Sequence, residues 1–138
     1  MREILFRGKR IDNGEWVHGQ YLKREYSGFT DNSIWTPKGT IPVKPETIGQ
    51  FTGLLDKNGK KIFEGDIVRW DDMSNSERWR VAVVEFNPDI QFRIIRINCD
   101  FIQSAKVGYV FKFGCFAYRD TYNHLEIIGN IHDNEKLN

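Results

Sequence analysis

The chain has 138 residues, 20 Lys or Arg and 19 Asp or Glu, and its net charge of +1 gives no field strong enough to argue for nucleic acid or anionic lipid as a partner. The length suits one domain, or one domain with a small subdomain, and an apolar content of 40% argues against long-range disorder. Aromatic residues reach 14%, which leans toward β structure, because aromatic side chains fit half-buried pleated surfaces.

In chain order, Glu3–Arg7 reads as a strand, and Asn13-Gly14 then marks a tight turn. Glu15–Leu22 follows as the second half of a hairpin. Its alternation sets Trp16, His18 and Gln20 on one face and Val17, Gly19 and Tyr21 on the other. Residues 24–33 are polar and read as a loop. Residues 37–46 hold three prolines and read as an extended, irregular joint, because proline fixes φ and removes a ladder donor. This places a domain boundary between a β subdomain at 1–46 and a barrel core at 47–138.

Further strands are expected at Thr47–Phe51, Lys61–Phe63, Asp66–Trp70, Arg78–Phe86, Gln91–Ile97, Gly108–Phe113 and Leu125–Ile131. Short strands with frequent turns predict a mainly β fold, a small barrel or roll with an N-terminal β-hairpin subdomain. Only residues 99–107 and the tail from His132 leave room for a helical turn. No apolar run approaches a membrane-spanning length, and the start has no apolar signal region. The two cysteines, Cys99 and Cys115, fit free thiols in a reducing compartment. The expected location is therefore cytoplasmic.

Chemical motifs are sparse. Counting from Asp56, Gly59 falls at the fourth place and Ile67 at the twelfth, so the spacing refuses a calcium loop. Asn58-Gly59 instead predicts a turn. Gly65 reads as a bend, with Asp66 accepting backbone N–H bonds there. Asp71, Asp72 and Glu77 read as a solvated loop. His18, His124 and His132 lack zinc spacing, and the phosphate-loop and nucleophile-elbow patterns are absent. No catalytic residue, metal or cofactor is expected.

One cluster joins charge to an aromatic ring. Arg78, Trp79 and Arg80 open one predicted strand, and Arg93 and Arg96 lie on the next. Arginines beside an aromatic can hold a nucleic-acid backbone and stack its bases. The competing reading is a cross-strand network in which Glu85 and Asp89 pair with these arginines.

The stretch FTGLLDKNGKKIFEGDIV, residues 51–68, resembles the signature of the YopX family of phage and prophage proteins. MREILFRGKR at the start and HLEIIGNIHDNEKL near the end are similar to that family's two ends. The match covers Phe51, Thr52, Gly53, Asp56, Gly59, Ile62, Gly65, Asp66 and Val68, as positions that set the fold. The resemblance implies a mainly β fold with an SH3-like barrel or roll, carriage by a phage or prophage, and expression in the bacterial cytoplasm. It implies no activity, cofactor or catalytic residue.

Three functions follow as expectations. The first is a non-enzymatic binding or assembly module, joined to itself as a homo-oligomer or to another phage or host protein. The second is a nucleic-acid-binding accessory protein that uses the arginine cluster. The third is a hydrolase gathering Asp66, Asp120 or His124 around a metal.

Overall fold

The computed structural model describes residues 4–72, 75–98 and 106–133. Cys99, most of the 99–107 stretch, the tail beyond Asp133 and the first three residues lie outside them. The chain forms two compact units, Met1–Gly53 and Leu54–Asn138.

In the first unit the antiparallel strands are β1 (Phe6–Lys9), β2 (Trp16–Tyr26), β3 (Phe29–Thr36), β4 (Gly39–Pro42) and the start of β5 (Gly49–Leu55). They lie in the order β4-β3-β2-β1-β5. The β1–β2 hairpin turns where Asn13-Gly14 predicts it. Gly14 has φ 73° and donates its N–H to Arg10 O at 3.0 Å, and the strands pair from Lys9↔Trp16 to Phe6↔Gly19.

Residues 24–33 are not a loop. They complete β2 and begin β3, and the chain reverses at Ser27-Gly28, with Gly28 at φ 94°. The polar average of the segment hides two aromatics that flank a Ser-Gly turn.

The proline stretch is also more regular than expected. Pro42 ends β4, the edge strand, where a missing N–H is tolerated. Pro45 opens a single 3-10 turn, Pro45–Thr47. Thr47 Oγ1 accepts from Lys9 N at 2.9 Å and donates to Lys44 O at 2.6 Å, which ties this segment to β1. The division between the units falls later, inside β5. Among the described residues, Ile34, Val43 and Phe51 are the buried apolar side chains of this unit. A Cβ on Gly8 would lie 3.1 Å from Val43, so the close approach there favours glycine.

In the second unit come β6 (Lys61–Phe63), β7 (Asp66–Asp72), β8 (Asn75–Phe86), β9 (Ile90–Asn98), β10 (Val110–Lys112), α1 (Thr121–His124) and β11 (Glu126–Asn130). An antiparallel sheet runs β10-β9-β8-β7-β11. Its edge strands, β10 and β11, do not pair with each other, so the sheet is open. The mainly β expectation holds, and of the expected barrel or roll no closed barrel forms among the described residues. Closure needs edge strands that meet in register, and these two are short and lie on opposite sides.

One face of this sheet carries the main core. The ring of Trp70 meets those of Phe116 at 5.1 Å, Phe111 at 5.6 Å and Phe92 at 6.1 Å, all edge to face. Ile62, Val68, Ala82, Val84, Ile90 and Leu125 pack with them. The opposite face carries a second cluster around Ile67, Val81 and Val83.

Candidate binding surface on the aromatic hairpin

The family-like motif resolves into turns and ties. Asp56 is buried, and its Oδ1 accepts from Asn58 N at 2.9 Å and Lys60 N at 2.8 Å. Its Oδ2 accepts from Ile127 N at 3.0 Å, which locks the turn to β11. Gly59, at φ 79°, supplies the left-handed turn residue. At the bend before β7, Gly65 has φ 91° and Asp66 Oδ2 accepts from Phe63 N at 2.7 Å, as expected of that acid. Phe51 and Thr52 are buried, and Gly53 has φ 87°.

The expected arginine platform does not assemble as drawn. Arg80 turns to the core face, is buried, and pairs with Asp72 at 2.6 Å. Alternation puts Arg78 on that side as well and Trp79 on the other. On β9, a bulge at Ile95 restores the register so that Val81↔Arg96 and Val83↔Arg93. Arg93 and Arg96 therefore share Trp79's face. Arg93 is held by Glu85 at 2.9 Å, one of the pairings foreseen in the competing reading, whereas Asp89 bonds the backbone of Ile90. The arginine that does stack on Trp79 is Arg69, 5.2 Å from the ring centre, and sequence alternation within one strand pair could not find it.

Acid–base candidates remain scattered. Asp120 lies 3.4 Å from His124, while Asp66 serves the bend. Among the described residues no three His, Cys, Asp or Glu side chains group as metal ligands. A cleft of about 160 Å³ is lined by Lys57, Arg69, Asp71, His124 and Glu126. Its charges are largely matched internally, with Lys57 at 3.8 Å from Glu126 and Arg69 at 3.3 Å from Asp71. Cys115 is a free, exposed thiol.

The feature that stands apart is the β2–β3 hairpin. Pairing between β1 and β2 ends at Gly19, and pairing between β3 and β4 covers only Ser33–Thr36. Between these limits the two strands pair only with each other among the described residues, and residues 22–30 are all exposed. A two-stranded ribbon is marginal in water by itself, so one that extends with apolar side chains uncovered invites a partner.

The register defines what one face presents. Its successive rungs are Gln20↔Trp35, Leu22↔Ser33, Arg24↔Asp31 and Tyr26↔Phe29. The Tyr26 and Phe29 rings stack 4.7 Å apart at the tip. Phe29 is 62% exposed, Trp35 48%, Tyr26 47% and Leu22 36%. At roughly 200 Å² per fully exposed aromatic side chain, the three rings offer about 300 Å² of apolar surface. The area is divided between the Tyr26–Phe29 tip and Trp35, with the charged Arg24↔Asp31 rung between them. Tyr26-Ser27-Gly28-Phe29 was the signal in the sequence: a turn dipeptide between two strand-forming aromatics.

This fold and surface define a class: a mainly β protein of two antiparallel sheets with an exposed aromatic hairpin. The chain belongs to the YopX family, whose model, described as YopX protein, matches residues 5–137. The crystal structure of protein EF1440 from Enterococcus faecalis is similar, with 22% identity, 99% of each chain covered and a TM-score of 0.52, a likeness of fold. Comparison with curated proteins gives no match. No helix among the described residues is long and apolar enough to cross a membrane.

Proposed function

We propose that this is a phage or prophage protein of the bacterial cytoplasm that works without catalysis, as a binding or assembly module, and that the β2–β3 hairpin is its contact surface for another protein chain. The observation that carries the reading is the stacked, exposed Tyr26–Phe29 pair at the tip of the β2–β3 ribbon. Aromatic anchors dominate protein interfaces because they remove much apolar area at little entropic cost. Between residues 20 and 36 the ribbon has two cations, Lys23 and Arg24, and two acids, Glu25 and Asp31. That balance favours a protein over a polyanion.

Replacing Phe29 with a photo-crosslinking phenylalanine analogue in the expressing bacterium tests this. Covalent adducts to a protein chain are expected at position 29, and none from the same analogue at exposed Lys60. Absence of any protein adduct at position 29 would remove the reading.

A nucleic-acid accessory role is the second reading, supported by the Arg69–Trp79 stack with exposed Arg96 on the same face. Fluorescence anisotropy with single-stranded DNA, duplex DNA and RNA across a salt series tests it. Under this reading Arg69→Ala with Arg96→Ala weakens binding and flattens the salt slope. No binding at low salt would eliminate it.

A further inference from the structure

We infer that the partner of the hairpin is a second copy of this chain, docked ribbon face to ribbon face about a two-fold axis that runs along the ribbon. The inference rests on the hairpin's being the contact surface, and it adds the occupant and the symmetry.

The argument is one of self-complementarity. In a two-fold contact the same patch meets itself, so each residue must suit the partner of its own counterpart. A two-fold axis along the ribbon exchanges the two strands. Each rung of one copy then faces the same rung of the other, reversed. Arg24 meets the second copy's Asp31, and Asp31 meets the second copy's Arg24. Tyr26 faces Phe29 and Trp35 faces Gln20. The two rungs nearest the tip are satisfied by the exchange: the aromatic rung is apolar on both strands and the charged rung has one sign on each. A two-fold axis across the ribbon at the same rung would set Arg24 against Arg24 and Asp31 against Asp31, which is repulsive.

Within one copy the charged rung is loose. Arg24 Nε lies 3.9 Å from Asp31 Oδ2, and both side chains keep solvent access. Asp31 also accepts a long bond from Ser33 Oγ at 3.4 Å. Both groups therefore retain capacity for a partner across the interface. The area sets the strength. Two facing rows of these aromatics, with Leu22, Gln20 and the charged rung around them, cover an area near or below the low end for specific interfaces, roughly 1,200 Å² in total. An interface of that size fits a contact that forms and dissociates with concentration better than a permanent dimer.

The test is sedimentation velocity across a concentration series on four proteins. These are the wild type, Tyr26→Ser with Phe29→Ser, Arg24→Glu, and Asp31→Arg. All positions are exposed or half-exposed, and circular dichroism confirms folding. Arg24→Glu gives a face with two acids, and Asp31→Arg gives a face with two bases. Each variant alone is expected to lose association by tenfold or more, and an equimolar mixture of the two is expected to regain it. A purely structural role for the rung would not produce rescue by mixing.

The outcomes separate the two claims. Suppose the wild type associates, the aromatic variant does not, and mixing fails to rescue. The hairpin is then a contact surface that docks elsewhere, and the ribbon-to-ribbon arrangement is wrong. A wild type that stays monomeric at high concentration overturns the second-copy inference, and crosslinks from position 29 to a different protein would still support a binding role. Association unaffected by the aromatic changes overturns the second-copy inference, and the crosslinking at position 29 then decides the binding role by itself.

Discussion

Asp56→Ala perturbs the point where the family-like motif is fastened. Three backbone N–H groups end on this one carboxylate, two in its own turn and one on β11, 71 residues away. A hydrogen bond to a charged group contributes about 1.5–3 kcal/mol. The bonds from Asn58 and Lys60 sit at exposed residues, so water replaces part of their value, and about 1 kcal/mol each is a fair share. The Ile127 N–H is half-buried, and its loss costs about 2 kcal/mol. The sum is about 4 kcal/mol, a large part of a typical domain's stability. Asp56→Asn separates the contributions. Its carbonyl oxygen keeps the two turn bonds, but its amide presents a donor to the Ile127 donor, so the expected cost is about 2 kcal/mol. Urea unfolding followed by the emission of buried Trp70 measures both. An alanine variant within about 1 kcal/mol of wild type would refute the reasoning. So would an asparagine variant as damaging as alanine.

Phe116→Ala is expected to cost about 3–5 kcal/mol in the same assay, because Phe116 is buried among Trp70, Phe92, Phe111 and Tyr118 and its removal opens a cavity. Phe29→Ala should cost at most about 1 kcal/mol, since its ring touches chiefly Tyr26, so its effect belongs to association. Arg10 donates from Nε and Nη2 to Asp12 at 2.9 and 2.8 Å, and these bonds hold the Asp12 carboxyl below its ordinary value. A lowered folded-state value gives stability that is present above the ordinary Asp range and is lost as pH falls through the lowered value. Asp12→Asn should therefore flatten the acid side of the stability curve, as followed by thermal melts from neutral to strongly acidic pH. An unchanged acid slope would show that the pair contributes nothing.

The sequence by itself determined the elements whose cause is local. Asn13-Gly14 and Asn58-Gly59 turn because their glycines take a left-handed conformation, and Lys61–Phe63 forms the strand its pattern predicts. The bend role of Asp66 was legible for the same reason, since its partner is three residues away. The family, too, was legible from the run at 51–68. Tertiary structure decided whatever depends on register between distant strands. The bulge at Ile95 moved Arg96 to the face of Arg93, and burial turned Arg80 into the core against Asp72. Barrel closure likewise depends on where the last strand pairs, and β11 pairs with β7, not with β10. The hairpin lies between these cases. Its turn was written in Tyr26-Ser27-Gly28-Phe29, but its exposure was not, because exposure depends on where β1 and β4 stop pairing.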